Sequence, residues 1–418
     1  MDRRCDILVI GGGINGASIA RAAAMAGHQV VLVEQGDLAQ ATSSASTKLM
    51  HGGLRYLEQF EFKLVKESLR ERAIMLRTAP HIVYPLEFHL PHDRAIRPWP
   101  VVRAGLLLYD VLAAHGGLPR SRAILLDDEG VRSHGRRGFS YWDGWADDAR
   151  LVVLNALDAA EAGAAILTRT RFEHAIPSDM GWRVELSTLD GARLSLDARA
   201  VVNAAGPWVT QVLNGGFQRA DSAGVRLVRG SHVVLRRTMT QRCAYLLQQQ
   251  DGRIVFAIPY EGEFTLVGTT DIAVADPEEK DPTAEEIRYL LGAANAHFIE
   301  PVGTSDIVWQ YAGVRALYDD GSSDPSDVTR DYRLELDGTG AGMLLSVYGG
   351  KLTTARHLAQ VALAKMGVTA ADTRKRFLPG GDTGDFSAFV ADVRRRWPFL
   401  GEPRSQLWNA SRRAAWHR

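Results

Sequence analysis

Gly11-x-Gly13-x-x-Gly16 is the first pattern in the chain whose residue types and spacing could do chemistry. The glycines permit a tight turn, let backbone approach a pyrophosphate, and let the following helix pack closely on its strand. That helix N-terminus offers free N–H groups and partial positive charge to phosphate oxygens. Glu34 stands eighteen residues after Gly16, where a carboxylate can accept both ribose hydroxyls and disfavours a 2′-phosphate. Glycine-rich turns are common, so the pattern is weak alone. With its acid it points to an adenine dinucleotide, without separating FAD from NAD. A second loop runs Ala41-Thr42-Ser43-Ser44-Ala45-Ser46-Thr47-Lys48-Leu49 and then His51-Gly52-Gly53-Leu54-Arg55-Tyr56. Its hydroxyls and N–H groups can hold further phosphate and ribitol oxygens, and paired glycines let backbone lie against a flat ring. An ordinary solvated loop has the same composition.

Positioning these groups requires particular elements. Residues 6–10 form a short, continuously apolar run of the kind a buried parallel strand shows. An Ala-rich stretch follows the glycines, Gly27 suits a helix C-cap, and Val30, Val31, Leu32 and Val33 predict a second strand ending at Glu34. Residues 62–79 have helical spacing in Leu64, Leu69, Ala73 and Leu76, and Pro80 ends it. Residues 85–100, rich in Pro, His and Arg, suggest an excursion to another domain. Strand patterns at 226–237, 254–258 and 264–267 predict a mixed or antiparallel sheet separate from the nucleotide unit. Residues 284–298 read as an amphipathic helix, and the runs at 200–203 and 344–347 end in small residues. Residues 394–418 carry seven arginines against one acid, Glu402, with no clear helical period, so a solvated tail is expected.

Composition narrows the class. With 418 residues, 46% of them hydrophobic, the chain can bury two or three cores, which excludes a disordered or fibrous protein. Forty-nine basic residues balance forty-nine acidic ones, which argues against nucleic acid as a partner. Two cysteines, Cys5 and Cys243, make neither a disulfide framework nor a four-cysteine metal site, and no metal-ligand spacing occurs. The longest apolar candidate, residues 101–114, is interrupted by Arg103 and Asp110 and falls short of the ~20 residues a spanning helix needs. Arg3 and Arg4 resemble the start of a signal peptide, yet the short run after them leads into the glycine motif. A soluble, intracellular, multidomain protein is expected, with surface attachment left open.

The motifs are more specific than the composition. Residues 6–16, 41–58, 140–152 (Ser140-Tyr141-Trp142-Asp143 through Asp147-Asp148-Ala149-Arg150-Leu151), 200–208, 229–234, 266–271, 312–315 and 345–354 resemble the FAD-dependent, quinone-linked aerobic glycerol-3-phosphate dehydrogenases, a family of membrane-peripheral flavoenzymes. The stretch Ser44-Ala45-Ser46-Thr47-Lys48-Leu49-Met50-His51-Gly52-Gly53-Leu54-Arg55-Tyr56 and the stretch Gly349-Gly350-Lys351-Leu352-Thr353-Thr354 carry most of the likeness. The resemblance implies an α/β (α+β overall) fold. A glutathione-reductase-type FAD domain would be assembled from 1–80, 140–215 and 310–370. An antiparallel-sheet substrate domain would come from 81–139 and 216–309. Residues 371–418 would be the remnant of a truncated C-terminal helical domain.

The same resemblance assigns residues. Gly11, Gly13, Ile14, Asn15, Gly16 and Glu34 would hold the ADP half of FAD. Thr42, Ser43, Ser46, Lys48, Leu49, Gly52 and Gly53 would lie along the ribitol and flavin, with Ala205, Gly206 and Trp208. Gly350, Lys351, Leu352 and Thr353 would approach the pyrimidine edge, where fixed positive charge favours an anionic reduced ring. Oxidising a secondary alcohol requires loss of hydride from C2 to the flavin and removal of the hydroxyl proton by a base. A substrate phosphate requires cations, with Arg preferred. Arg55, Arg315 and Lys351 stand in the matching motifs, and Arg330 would join them. His232 is the first candidate base and His51 the second, each able to hold a proton near neutral pH. Tyr56 and Thr270 would hydrogen-bond substrate or flavin. The implied reaction takes glycerol 3-phosphate to dihydroxyacetone phosphate, with electrons passing to a membrane quinone. A homodimer would sit on the inner face of the cytoplasmic membrane. A related flavin oxidase, or a flavin-binding protein with impaired activity, remains the alternative.

Overall fold

The computed structural model describes residues 4–92, 97–113, 116–126, 130–132, 136–219, 224–236, 243–319 and 331–400. Its first sheet grows from the predicted strand–helix–strand unit. Arg4–Ile10 pairs in parallel with Val30–Val33 on one side and with Arg193–Asn203 on the other. Ala165–Leu167 and Met343–Tyr348 extend the parallel set, so strands distant in sequence meet in one layer. Alternation explains the unbroken apolar run at the start. Ile7 and Val9 enter one core with Ile19, Ala20, Leu345 and Leu358, whereas Leu8 and Ile10 enter another with Trp182, Leu186 and Phe217. A strand buried on both faces needs no polar face.

Helices Ile14–Ala24, Asp148–Glu161 and Ala355–Lys365 cover the first of these cores. Alanines at 17, 20, 22, 23 and 24 let Ile14–Ala24 approach its neighbours closely. A buried ion pair, Arg21 to Asp158 at 2.6 Å, fastens it to Asp148–Glu161. That second helix begins at Asp147, whose carboxylate accepts from the Arg150 N–H.

The second sheet has ten strands and is antiparallel except where Val83–Pro91 runs parallel to Ala244–Gln248. Its longest pairing joins Val225–Leu235 to Ile307–Tyr318. Helix Ala284–Asn295 packs over it through Leu290, Leu291 and Ala294. Helix Trp99–Leu112 packs over the other part through Val102, Leu106 and Tyr109.

Two expectations change. Residues 310–318, read as part of the flavin domain, belong to Ile307–Tyr318, whose hydrogen bonds go to the second sheet. Residues 85–91, read as an excursion away from the nucleotide unit, run in the second sheet as a regular strand, Val83–Pro91, paired with Arg136–Ala146. Arg394, Arg395 and Arg396 end a helix, Phe386–Arg396, where Asp392 pairs with Arg395 and Arg396 at helical spacing. Local i,i+3 and i,i+4 pairing supplies a period that apolar residues do not show there. The rest of the arginine-rich tail lies outside the described residues.

Candidate active site

A cavity of about 1440 Å³ lies where the carboxyl ends of the parallel strands meet the second sheet. Pockets for drug-sized ligands run roughly 300–1,000 Å³, so this one has room for a dinucleotide and a small substrate together.

The glycine turn forms one end. Gly11 has φ +108°, and a Cβ on it would sit 2.5 Å from the carbonyl oxygen of Ala204. Gly13, Ile14 and Asn15 line the cavity beside it, while Gly16 lies behind, where a Cβ would meet Gly11 O at 2.0 Å. Gly16 therefore serves helix packing. Ser43 Oγ accepts the Ile14 N–H at 3.0 Å, joining the hydroxyl loop to the helix N-terminus. Glu34 accepts from the N–H groups of Gly12 and Gly36, at 2.7 and 2.8 Å. A carboxylate has about four acceptor positions, so ribose hydroxyls still find room on it. Asn15 donates to Gly349 O at 3.0 Å, and its Oδ1, buried at the cavity wall, has no donor among the described residues. Opposite, Gly350 at φ +103° leaves no space for a Cβ, which would meet Asn15 Nδ2 at 2.7 Å. An orphaned acceptor between two side-chain-free turns fits a dinucleotide laid along backbone.

The hydroxyl loop is tied down from behind. Thr42 Oγ1 donates to Val314 O, and Ser46 Oγ donates to Asp148 Oδ2 at 2.7 Å. Lys48 reaches the other oxygen of the fully buried Asp148 at 2.6 Å. Leu49 pairs with Trp145 in the second sheet and lines the cavity with Gly53. Gly52 does not line it: its N–H donates to Tyr109 Oη at 2.8 Å, and Tyr109 in turn donates to Asp143. Ala205, Gly206 and Trp208 face the cavity from the end of Arg193–Asn203, and Leu352 and Thr353 from the loop after Met343–Tyr348. Asp143, Asp148 and Tyr109 took no site role from the sequence because their partners lie 34 to 102 residues away. An acid pair ahead of a helix, Asp147-Asp148, was the available signal.

Cations line the same cavity. Arg55 and Tyr56 occupy the turn Leu54–Leu57, and Lys351 Nζ sits 3.9 Å from the centroid of the Tyr56 ring. Arg315 donates to Asp271 through Nη1 and to Thr269 Oγ1 through Nη2. Arg55, Tyr56, Arg315 and Lys351 all line the cavity.

Two candidates fall elsewhere. Thr270 is buried, with Oγ1 donating to Glu286, and the alternation of side chains turns Thr269 and Asp271 to the cavity instead. His232 is buried behind Tyr311, stacked on its ring at 4.8 Å, with Nε2 2.9 Å from Thr47 Oγ1. Burial first, then the nearby charges of Arg315 and Lys48, push its pKa down to about 3. That is far from the near-neutral base expected, whereas His51 does line the cavity. Arg330 lies outside the described residues. No group of three His, Cys, Asp or Glu among the described residues could hold a metal ion.

Known proteins share this architecture. The family described as FAD dependent oxidoreductase matches residues 6–356. The aerobic glycerol-3-phosphate dehydrogenase of Escherichia coli K12 is 48% identical over 407 residues, covering 95% of this chain and 81% of that protein. The D-erythritol 1-phosphate dehydrogenase of Brucella abortus is 46% identical over 409 residues, covering 95% and 82%. The crystal structure of the glycerol-3-phosphate dehydrogenase from Bacillus halodurans, complexed with FAD, matches with a TM-score of 0.71 at 29% identity, over 99% of this chain and 75% of that one. The chain belongs to the FAD-dependent oxidoreductases, in their glycerol-3-phosphate dehydrogenase branch, and its cofactor is FAD.

Proposed function

We propose that this enzyme oxidises sn-glycerol 3-phosphate to dihydroxyacetone phosphate and delivers the electrons to a membrane quinone. The observation that carries the reading is the placement of Arg55, Arg315 and Lys351 on the wall of the same cavity as the dinucleotide cradle. A small anionic substrate held there would share the cavity with the cofactor.

FAD, when bound, supplies the acceptor for two electrons and a hydrogen. Gly11, Gly13, Asn15 and Glu34 would hold its ADP half, and the Thr42–Leu49 loop with Gly350 to Thr353 its flavin half. The chain's own residues do the remaining work. Arg55 and Arg315 bind the phosphate oxygens, as planar guanidinium groups suit them. Lys351, held against the Tyr56 ring, adds a fixed positive charge. His51 takes the hydroxyl proton, since it is the candidate imidazole that lines the cavity. The aromatic wall around Tyr141, Phe256 and Tyr260 keeps water from the reacting carbon.

Membrane contact belongs to the same reading. Helix Trp99–Leu112 buries Val102, Leu106 and Tyr109 yet leaves Val101, Leu107, Leu108 and Val111 exposed. Exposed arginines 120, 122, 136 and 137 lie on the neighbouring segments. An apolar stripe beside arginines suits an anionic lipid surface. No described helix is long and apolar enough to cross a membrane. The homodimer and the cytoplasmic face of the membrane complete the proposal.

The test is anaerobic. Addition of sn-glycerol 3-phosphate to FAD-loaded enzyme is expected to bleach the flavin, and a quinone analogue to restore its colour. Full turnover with oxygen alone, yielding hydrogen peroxide, would sink the dehydrogenase reading. A longer polyol phosphate is the competing substrate, because the Brucella relative carries that name. A higher kcat/KM on erythritol phosphate would decide for it.

A further inference from the structure

Arg315 enters the cavity already paired to an acid. Its Nη1 donates to Asp271, its Nη2 donates to Thr269 Oγ1 at 3.3 Å, and both Arg315 and Asp271 line the cavity. Their side chains keep similar access to it, 30% and 27%. An acid at this place repels the phosphate that Arg315 is there to bind, so its presence asks for a reason.

The support beneath Asp271 is built. Thr270 Oγ1 accepts the Ser231 N–H at 2.9 Å and donates to Glu286 Oε1 at 2.8 Å. Glu286, itself buried, also accepts from Ser231 Oγ at 2.8 Å and pairs with Arg229 at 2.9 Å. Its Oε2 accepts from the N–H and hydroxyl of Thr283, at 3.0 and 2.9 Å, closing a capping box at the start of helix Ala284–Asn295. Residue 270 is thereby fixed on the face away from the cavity, and Asp271 toward it.

Charge gives the reason. Asp148 cancels Lys48. Arg55, Arg315 and Lys351 then bring three positive charges, which Asp271 lowers to two. A phosphate monoester carries about −1.5 to −2 at pH 7. We propose that Asp271 is a positioning residue that sets the site's affinity for its anionic substrate, holding Arg315 in place and cancelling one positive charge so that a dianionic product can leave. The proposal rests on the reading of Arg315 as a phosphate ligand.

FAD-loaded Asp271→Asn keeps the acceptor for Arg315 and removes the charge. Inorganic phosphate is titrated against the flavin absorbance and against sn-glycerol 3-phosphate in turnover. The dissociation constant for phosphate and the KM are expected to fall about tenfold, with kcat unraised and a steeper loss of phosphate binding in salt. Asp271→Glu is expected to restore wild-type values. Phosphate binding unchanged or weakened in Asp271→Asn overturns the proposal. Should that variant purify without flavin, Asp271→Ser makes the same neutral comparison. Loss of flavin from both, with Asp271→Glu loaded, overturns it too, since the acid then serves the fold. Wild-type enzyme that binds phosphate but is not reduced by glycerol 3-phosphate would refute the functional reading and leave this comparison standing.

Discussion

Gly11 and Gly230 stand in the two halves of the site, and the atoms around them show how differently those halves are made. A Cβ on Gly11 would lie 2.5 Å from the oxygen and 2.9 Å from the carbon of the Ala204 carbonyl, both backbone atoms of the parallel sheet. A Cβ on Gly230 would lie 2.4 Å from Arg315 Nη2 and 2.6 Å from Thr269 Oγ1, both ends of side chains. At Gly11 the cofactor half is shaped by main chain and cannot yield locally. The anion half is shaped by side chains laid over a bare strand, and it can. Changes in the first half should therefore cost cofactor or fold, and changes in the second should cost substrate affinity alone.

Asp148 ties down the hydroxyl loop of the cofactor half, so its loss should cost both fold and flavin. It is fully buried and takes Lys48, the Ser46 hydroxyl and the Ser46 N–H. Asp148→Ala leaves the Lys48 ammonium buried without its counter-ion, at a cost of about 3–5 kcal/mol. Urea unfolding and flavin content should both report the loss. Full stability in this variant would mean that Lys48 finds water, and the loop would then be less tightly held than the geometry says.

Gly11→Ala tests the rigid half. A residue with a side chain is strained at φ +108°, and the Ala204 carbonyl blocks it as well. Together these should cost about 2–3 kcal/mol, read as a loss of FAD affinity of roughly a hundredfold by fluorescence titration. Gly230→Ala is the counterpart in the yielding half. Arg315 should swing aside, raising KM about tenfold, or ~1.4 kcal/mol, with flavin content and the urea midpoint nearly unchanged. Equal loss of flavin in both variants would erase the distinction.

The same division explains what could be read from sequence. The cradle is local: glycines, helix and acid fall within one strand–helix–strand unit, so spacing alone places Gly11, Gly13 and Glu34. The anion half is assembled by strand pairing. Arg315 and Asp271 are 44 residues apart, and they meet because Val225–Leu235 lies between the strands that lead to each. No local pattern marks such a pair. Arg315 was legible only through its motif, Asp271 was not, and Thr270 was taken for its neighbour's role. A turn at the end of a strand hides which side chain faces inward until the register is known.

His232 gives the smallest effect, and it bears on which imidazole acts as base. Burial, with Arg315 and Lys48 nearby, holds its folded pKa at about 3, below the ordinary 6.5. Between those two values the unfolded chain binds a proton that the native state does not. Stability then rises with pH across that window and is lost on acidification. For this one group the loss between pH 6.5 and 5.5 is about 1 kcal/mol. His232→Gln removes the titration, so its urea midpoint should fall less over that interval than the wild type's. If the two proteins lose stability in parallel, His232 titrates as an exposed imidazole would. It would then reach the cavity and compete with His51 for the substrate proton. If they diverge as expected, His232 stays neutral behind Tyr311, and the acid limb of the activity profile must belong to another group. His51→Gln should then remove that limb where His232→Gln leaves it in place.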